Sequence, residues 1–124
     1  MRTILIVEDN NGLRDTLKEK CKRKYGDQSV IIEAGTLAQA FDVFDKNAST
    51  LDAITMDGCV DTKSDHADTL PLIQHMRTAG FKGPIIANSS AEKNLELMKA
   101  AGASHACSKV DILNKLFEVL PPET

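Results

Sequence analysis

Short runs of β-branched and aliphatic residues alternate five times with segments whose apolar residues recur every three or four positions. The first pattern is typical of buried strands and the second of amphipathic helices. The predicted N-caps of the second, fourth and fifth helices are Thr36, the pair Ser89-Ser90, and Asp111. The predicted strands cover residues 4–7, 30–32, 53–56, 84–88 and 103–107. This alternation favours a parallel sheet, because each helix carries the chain back to the edge at which the next strand begins.

The first predicted strand is a continuous apolar run that is followed directly by an acidic turn beginning at Glu8. Strands of this kind are covered by helices on both faces, which places this strand inside the sheet. We therefore predict an α/β domain, a doubly wound five-stranded parallel sheet of order 2-1-3-4-5 in a three-layer sandwich. In that order the ends of strands one and three lie side by side at the point where ligands bind.

The third predicted strand ends in a carboxylate, Asp57, which is followed at once by Gly58. In the predicted order, Glu8 and Asp9 at the end of strand one converge on Asp57. Three carboxylates in one crevice either raise a pKa or bind a cation. Hard oxygen ligands with space for water favour Mg²⁺. The two acids could instead be caps of a helix N-terminus, although two are more than one cap requires.

Two further polar side chains follow later strands of the predicted sheet. Ser89 comes at the end of strand four and offers a hydroxyl, and Lys109 lies in the loop after strand five and offers an ammonium group. A metal, a hydroxyl and an ammonium around one carboxylate are the groups that stabilise phosphoryl transfer onto it. The residues therefore predict that Asp57 is a phosphoryl acceptor.

Over essentially its whole length the chain resembles the receiver domain of two-component response regulators, which has the CheY-like, flavodoxin-like (βα)5 fold. The matching segments are Ile4-Leu5-Ile6-Val7-Glu8-Asp9-Asn10 with Leu13-Arg14, Met56-Asp57, Pro84-Ile85-Ile86 leading to Ser89, and Ala101-Gly102-Ala103 before Lys109. The resemblance implies that Asp57 accepts a phosphoryl group from a histidine kinase or a phosphotransfer protein.

The resemblance also implies roles for the other residues of the predicted site. The implied Mg²⁺ ligands are Asp9, Asp57, the backbone carbonyl of Cys59 and, through a water molecule, Glu8. Ser89 would donate a hydrogen bond to one phosphoryl oxygen, and Lys109 would pair with another. Any catalysis would be limited to the aspartyl phosphorylation and dephosphorylation of the chain itself.

Three features depart from the usual receiver pattern. The segment after Asp57 lacks the usual Met-Pro and Asp-Gly pairs and is about four residues longer, in a loop where insertions are tolerated. Lys109 is followed by Val110 instead of proline, so the usual cis Lys-Pro bond is absent. Ala106 stands where receivers have an aromatic switch residue, and its methyl group cannot swing between buried and exposed states. The neighbouring His105 is a candidate contact for a partner.

We therefore expect a single receiver domain over residues 1–124, without an output domain, that signals through protein–protein contacts. The resemblance implies that an effector binds the face made by the fourth helix, the fifth strand and the fifth helix. The candidate contacts on this face are Glu92, Lys93, Glu96, Lys99, His105 and Lys115. The alternative, suggested by Ala106 and Val110, is an atypical receiver that serves as a phosphorylation-independent interaction module.

Two other protein classes fit the sequence less well. A haloacid-dehalogenase-type phosphatase also uses an aspartyl nucleophile, but it needs a second Asp at the position of Cys59. A flavin-binding flavodoxin relative needs a phosphate-binding loop after strand one, where Glu8 and Asp9 would repel phosphate.

Composition excludes several further classes. A net charge of −3, from 15 basic and 18 acidic residues, argues against a nucleic-acid-binding surface. No apolar run reaches the ~20 residues of a membrane span, and we expect no signal peptide, because the first residues lead directly into the first predicted strand. The cysteines at positions 21, 59 and 107 lack metal-ligand spacing and are predicted to be reduced thiols of a cytoplasmic protein.

Several side chains allow more than one interpretation. A second metal site is conceivable in the acidic loop, but its spacing matches no ligand motif and favours a solvated loop. The residues concerned are Asp61, Asp65, His66 and Asp68. His75 is interpreted as a helix-surface residue rather than a phosphohistidine. Cys59 is interpreted as an inert thiol, because nearby carboxylates would disfavour its thiolate, and Cys107 as a core residue.

Overall fold

The computed structural model describes residues 1–61 and 66–123, which form five strands and five α-helices in alternation. The strands are β1 (Thr3–Val7), β2 (Val30–Ala34), β3 (Ala53–Asp57), β4 (Ile85–Asn88) and β5 (His105–Cys107). The helices are α1 (Asn11–Tyr25), α2 (Leu37–Asn47), α3 (Leu70–Thr78), α4 (Glu92–Ala101) and α5 (Ile112–Val119), and a 3₁₀ turn over Lys109–Asp111 precedes α5.

The sheet has the predicted topology. All strand pairs are parallel and the order is β2-β1-β3-β4-β5. Every residue of β1 and of β3 is buried, as expected for interior strands covered on both faces. Val7 lies opposite Met56, and Asp57 lies opposite Asn88. This register brings the carboxyl ends of β1, β3 and β4 to the same edge of the sheet.

Helices cover both faces of the sheet, and each face has its own hydrophobic cluster. On one face, α1 and α5 bury Leu17 and Leu116 against a cluster that includes Ile4. On the other face, α2, α3 and α4 pack over a larger cluster that includes Leu5 and Phe44. Successive side chains of a strand point to opposite faces, which is why the neighbours Ile4 and Leu5 belong to different clusters. The predicted three-layer architecture is thereby confirmed.

Most helix boundaries follow the expected signals. The hydroxyl of Thr36 caps α2 as predicted, accepting a hydrogen bond from the backbone nitrogen of Gln39 at 3.1 Å. Gly26 ends α1 and Gly102 ends α4, with φ values of 99° and 133° that favour glycine.

One predicted cap is wrong, and a second occupies the predicted position without a capping bond. The pair Ser89-Ser90 was expected to cap α4, but that helix begins at Glu92, and the N-cap residue is Ala91, which has no side-chain cap. The Ser89 hydroxyl instead accepts from the backbone nitrogen of Ala91 at 3.1 Å. Asp111 lies at the expected N-cap of α5 but makes no capping bond, and its carboxylate accepts from the Ser108 hydroxyl at 3.1 Å.

Within residues 1–61 and 66–123, no helix combines the length and the apolar character that a membrane crossing requires.

Candidate phosphoryl-acceptor site

The candidate site is a crevice at the carboxyl edge of the sheet, between the ends of β1 and β3. Asp57 is the last residue of β3 and its residue surface is 3% exposed. Glu8 follows β1 directly, is 2% exposed, and donates its backbone nitrogen to the carbonyl of Ala34 in β2 at 3.0 Å. Asp9, the next residue, is exposed to solvent. The fold thus places two buried acids and one exposed acid at the strand switch point.

The three acids form one cluster. One carboxylate oxygen from each of Glu8, Asp9 and Asp57 lies within 4.8 Å of the other two. This donor set consists of hard oxygen atoms and is open to water on the side of Asp9, which fits the chemistry of Mg²⁺. The structure therefore brings together the carboxylates that the predicted strand order placed side by side.

The crowding of buried carboxylates changes their affinity for protons. Burial, and after it the neighbouring Asp57 carboxylate, raise the pKa of Glu8 from 4.5 to about 7. Burial also raises the pKa of Asp57, although the attraction of Lys109 opposes this change. In the absence of a metal ion, the folded protein therefore binds protons at this pair more tightly than the unfolded chain does.

This proton affinity predicts that the metal-free protein loses stability as the pH rises. Because the folded pKa of Glu8 lies above its unfolded value, its contribution is complete below about 4.5 and is lost as the pH rises through about 7. We expect a loss of roughly 1–2 kcal/mol in the free energy of unfolding, less than full linkage gives, because solvent screens the open side of the crevice.

Urea unfolding in a chelating buffer, from about pH 5 to pH 8, measures this dependence. Glu8→Gln should flatten the profile, since glutamine does not titrate. Glu19→Gln, on the exposed side of α1, should leave it unchanged. A Glu8→Gln profile as steep as that of the wild type would contradict the prediction.

Lys109 is the cation of the site. Its Nζ atom lies 3.1 Å from Oδ1 of Asp57 and 3.5 Å from Oε1 of Glu8, while its side chain remains 37% exposed. Burial lowers the pKa of Lys109, but the attraction of the two carboxylates outweighs it and the pKa is raised, so the ammonium form is stabilised. No peptide bond among the described residues is cis, and Val110 after the lysine is 87% exposed.

Ser89 reaches the crevice from the end of β4. It is buried, and it lies beside Gly58, where a Cβ atom would sit 3.5 Å from the Ser89 hydroxyl and 3.4 Å from the sulfur of Met98. These distances are ordinary van der Waals contacts, so Ser89 and α4 pack directly against position 58. The hydroxyl accepts from the nitrogen of Ala91, and its own proton is available to a further acceptor.

Two residues that hold the backbone around the acids were not singled out from the sequence. The side-chain amide of Asn88 donates to the backbone carbonyl of Met56 at 3.1 Å. The backbone carbonyl of Asn88 accepts from the backbone nitrogen of Gly58 at 3.1 Å. Arg14 donates to the carbonyl of Glu8 at 2.8 Å and lies 3.5 Å from the Glu33 carboxylate. Arg14 is one of the residues that match the receiver pattern. Its contacts with Glu8 and Glu33 depend on the tertiary fold, so no local sequence pattern predicts them.

Among the described residues, the group of acids that could hold a metal ion is Glu8, Asp9 and Asp57. The described residues of the acidic loop after Asp57 add no second group of this kind. Asp61 accepts from the nitrogen of Leu37 at 2.9 Å, which ties the loop to α2. Asp68 accepts from backbone nitrogens of the same loop. Asp65 lies outside the described residues. The two described aspartates therefore serve local structure.

Three further side chains, those of His75, Cys59 and Cys107, make contacts with neighbouring residues. The ring of His75 packs on Phe41 at 5.1 Å between ring centres and lies 2.7 Å from the Asp45 carboxylate, so it joins α2 to α3. The Cys59 thiol is half-buried and donates to the carbonyl of His66. Burial raises the pKa of Cys107, which packs at the edge of the core.

The candidate partner face has no aromatic switch residue. Ala106 is half-buried against the larger core cluster and pairs with Ala87 of β4. The ring of His105 is held by the Ser104 hydroxyl at 2.9 Å. Of the other predicted contacts on this face, four are exposed on α4 and one is half-buried on α5. They are Glu92, Lys93, Glu96, Lys99 and Lys115.

No protein-family model matches this chain, and no curated protein matches it either. Solved structures do match. The signal receiver domain of a DNA-binding response regulator (merR) from Colwellia psychrerythraea has 19% identity and a TM-score of 0.77, over 95% of this chain and 96% of that chain. Chemotaxis protein CheY4 from Vibrio cholerae has 18% identity and a TM-score of 0.76, over 97% and 99%.

A third match is a response regulator from Burkholderia pseudomallei, whose structure contains a phosphorylated aspartic acid and a calcium ion. It has 17% identity and a TM-score of 0.76, over 98% of this chain and 68% of that chain. This chain therefore has the CheY-like fold of response regulator receiver domains, as its sequence predicted.

Proposed function

We propose that this chain is a receiver of two-component signalling that accepts a phosphoryl group on Asp57 from a histidine kinase or a phosphotransfer protein. The observation that carries the proposal is the ammonium of Lys109, 3.1 Å from the carboxylate of Asp57 in the acidic crevice. An ammonium at this distance can pair with the carboxylate and then with oxygens of a phosphoryl group attached to it. The receiver fold supports the same conclusion.

In the proposed reaction, a carboxylate oxygen of Asp57 attacks the phosphorus atom of a phosphohistidine. A new oxygen–phosphorus bond forms as the phosphorus–nitrogen bond breaks, and the electron pair of the broken bond goes to the imidazole, which takes a proton from solvent. Lys109 balances charge on one phosphoryl oxygen, and the Ser89 hydroxyl donates to another. Both side chains act by position and charge, which is the main source of catalysis in phosphoryl transfer.

The metal proposed for this site is Mg²⁺. Its protein ligands would be Asp9, Asp57 and the backbone carbonyl of Cys59, with Glu8 acting through a water molecule. When bound, the ion would neutralise phosphoryl oxygens as a Lewis acid. Asp57 must be ionised both to bind a cation and to attack phosphorus, and because burial raises its pKa, protons compete with both steps.

We further propose that the chain acts as one receiver domain over residues 1–124 and signals by binding an effector. The proposed effector surface is made of α4, β5 and α5, where the exposed side chains of α4 carry both signs of charge. Ala106 favours a second candidate function on this face, a phosphorylation-independent interaction module, because a methyl group offers no ring that could move.

The experiment that tests the proposal is a titration with Mg²⁺ and beryllofluoride, which mimics an aspartyl phosphate, followed by amide NMR. We expect shifts at residues 57, 89 and 109 that spread to residues 91–117 and that require Mg²⁺. Covalent labelling by acetyl phosphate, followed by intact mass, should show one phosphoryl group per chain.

The other outcomes separate the two candidate functions. Shifts confined to residues near the acid cluster would mean that the acceptor chemistry is present without a response on the proposed effector face. The absence of both shifts and labelling would overturn the proposed function and support the phosphorylation-independent module.

A further inference from the structure

The hydroxyl of Thr69 has an unusual use for a residue at the start of a helix. Thr69 is the N-cap residue of α3, a position where a threonine hydroxyl normally accepts from a backbone nitrogen of the first turn. Here the side chain makes no capping bond. Its Oγ1 atom instead lies 2.9 Å from the carbonyl oxygen of Asp57 and 3.2 Å from that of Gly58. The helix start therefore binds the backbone of the proposed acceptor.

This contact is made in the interior of the protein. Thr69 is 0% exposed. A buried hydroxyl that loses its acceptors destabilises the fold, so the arrangement holds only while the two carbonyls stay in place. Because the hydroxyl is a donor and the carbonyls are acceptors, the polarity of the contact is also fixed. Thr69 thus fixes the first two peptides after the β3 strand.

Asp68, the preceding residue, holds the next part of the same loop. Its backbone nitrogen donates to the carbonyl of Gly58 at 2.9 Å. Its Oδ1 atom accepts from the nitrogen of Val60 at 2.9 Å, and its Oδ2 atom accepts from the nitrogen of Asp61 at 2.9 Å. A carboxylate that accepts two backbone N–H groups makes charge-assisted bonds, which are stronger than neutral ones.

The contacts of Asp68 and Thr69 lie on both sides of Cys59. Thr69 binds the carbonyls of the two residues before it, and Asp68 binds the nitrogens of the two residues after it. Four backbone groups around one peptide are therefore held by two adjacent side chains. We call this pair of side chains the loop clamp.

We propose that Asp68 and Thr69 are positioning residues that fix the Cys59 carbonyl for metal binding beside Asp57. The inference rests on the proposed function, since it concerns the Mg²⁺ site of that function. It accounts for how a loop longer than in other receivers presents the same backbone ligand, because the clamp joins residues 57–61 directly to the start of α3. Neither side chain touches the phosphoryl group, and both act through the backbone.

Thr69→Val tests the clamp, because valine has the shape of threonine without the hydroxyl. Outer-shell partners of metal ligands typically contribute about 10–100-fold to metal affinity, so we expect Mg²⁺ binding at least ~10-fold weaker than in the wild type, by calorimetric titration with MgCl₂. Thr69→Ser keeps the hydroxyl and should bind within about threefold of the wild type. At saturating Mg²⁺, the labelling rate of Thr69→Val should recover, since the acceptor and Lys109 are intact.

Thr50→Val is the matched control. Its hydroxyl also donates to a backbone carbonyl, that of Asn47 at 3.0 Å, but near the start of β3 and away from the acids. The Thr50→Val substitution should leave Mg²⁺ affinity unchanged.

Amide exchange in metal-free protein gives a second measurement, in which Thr69→Val but not Thr50→Val should accelerate exchange at Val60 and Asp61. If Thr69→Val does not fold, Asp68→Asn serves instead, because its amide group cannot accept from one of the two nitrogens.

Two outcomes overturn the inference while leaving the proposed function intact. The first is a Thr69→Val protein with the Mg²⁺ affinity of the wild type. The second is a Thr69→Ser protein as weak as Thr69→Val, which would assign the effect to the lost methyl contacts. A wild-type protein that binds no Mg²⁺ would instead overturn the proposed function, and the inference with it.

Discussion

Replacing Asp57 with asparagine is expected to abolish phosphoryl uptake completely and, at the same time, to make the metal-free protein more stable at neutral pH. The first effect follows because an amide is no nucleophile toward phosphorus. The second follows because burial raises the pKa of Asp57 in spite of Lys109, which means that the folded state disfavours the charged form. Relief of this penalty should raise the free energy of unfolding by roughly 0.5–2 kcal/mol.

The two effects are measured on the same samples, by acetyl phosphate labelling with intact mass and by urea unfolding in a chelating buffer. Asp42→Asn is the control, since Asp42 is an exposed residue of α2 that pairs with Lys46. It should label like the wild type and unfold with unchanged stability. Labelling of Asp57→Asn at the wild-type rate would show that the acceptor is another residue. A loss of stability would show that the ion pair with Lys109 outweighs burial of the carboxylate.

Replacing Lys109 with methionine is expected to slow phosphoryl transfer to Asp57 by roughly 10²–10³-fold, the effect of removing one preorganised charge from an anionic transition state. Methionine keeps most of the side-chain volume and removes the ammonium. The Mg²⁺ affinity should not fall, because an ammonium 3.1 Å from the carboxylate proposed to bind the metal repels a cation. The rate of phosphoryl transfer should therefore fall while the Mg²⁺ affinity does not.

Labelling rates at saturating Mg²⁺, together with calorimetric Mg²⁺ titration, check this separation. Lys115→Met is the control, since Lys115 pairs with Glu118 on the surface of α5 at 3.6 Å. It should label at the wild-type rate. A Lys109→Met protein whose Mg²⁺ affinity falls as far as its rate would contradict the prediction and give the lysine a structural role in the metal site.

The topology of the sheet could be predicted from the sequence because two periodicities are strong and local. Apolar runs such as residues 4–7 and 53–56 indicate buried strands, and their alternation with amphipathic helices leaves few ways to connect a parallel sheet. The meeting of Glu8, Asp9 and Asp57 then follows from strand order alone, since parallel strands end at one edge.

The supports of the site could not be predicted in the same way. Thr69 binds carbonyls that lie 11 and 12 residues earlier in the chain. Arg14 of α1 contacts the carboxylate of Glu33 in β2. Such contacts exist only after the strands and helices have packed. The Thr36 cap could be predicted because its partner is three residues away, whereas the Ser89 hydroxyl binds the nitrogen of Ala91 before α4 begins and does not cap that helix.

The bond between the Ser89 hydroxyl and the nitrogen of Ala91 has a mechanical consequence for α4. A hydroxyl can donate one hydrogen bond while it accepts others, so Ser89 can hold a phosphoryl oxygen without releasing Ala91. Any displacement of the hydroxyl toward Asp57 would then also displace the backbone of Ala91, the N-cap residue of α4. Because β5 has alanine at position 106, no aromatic ring can rotate there. The hydrogen bond between Ser89 and Ala91 would instead couple the acid cluster to the start of α4 by a shift of the helix end.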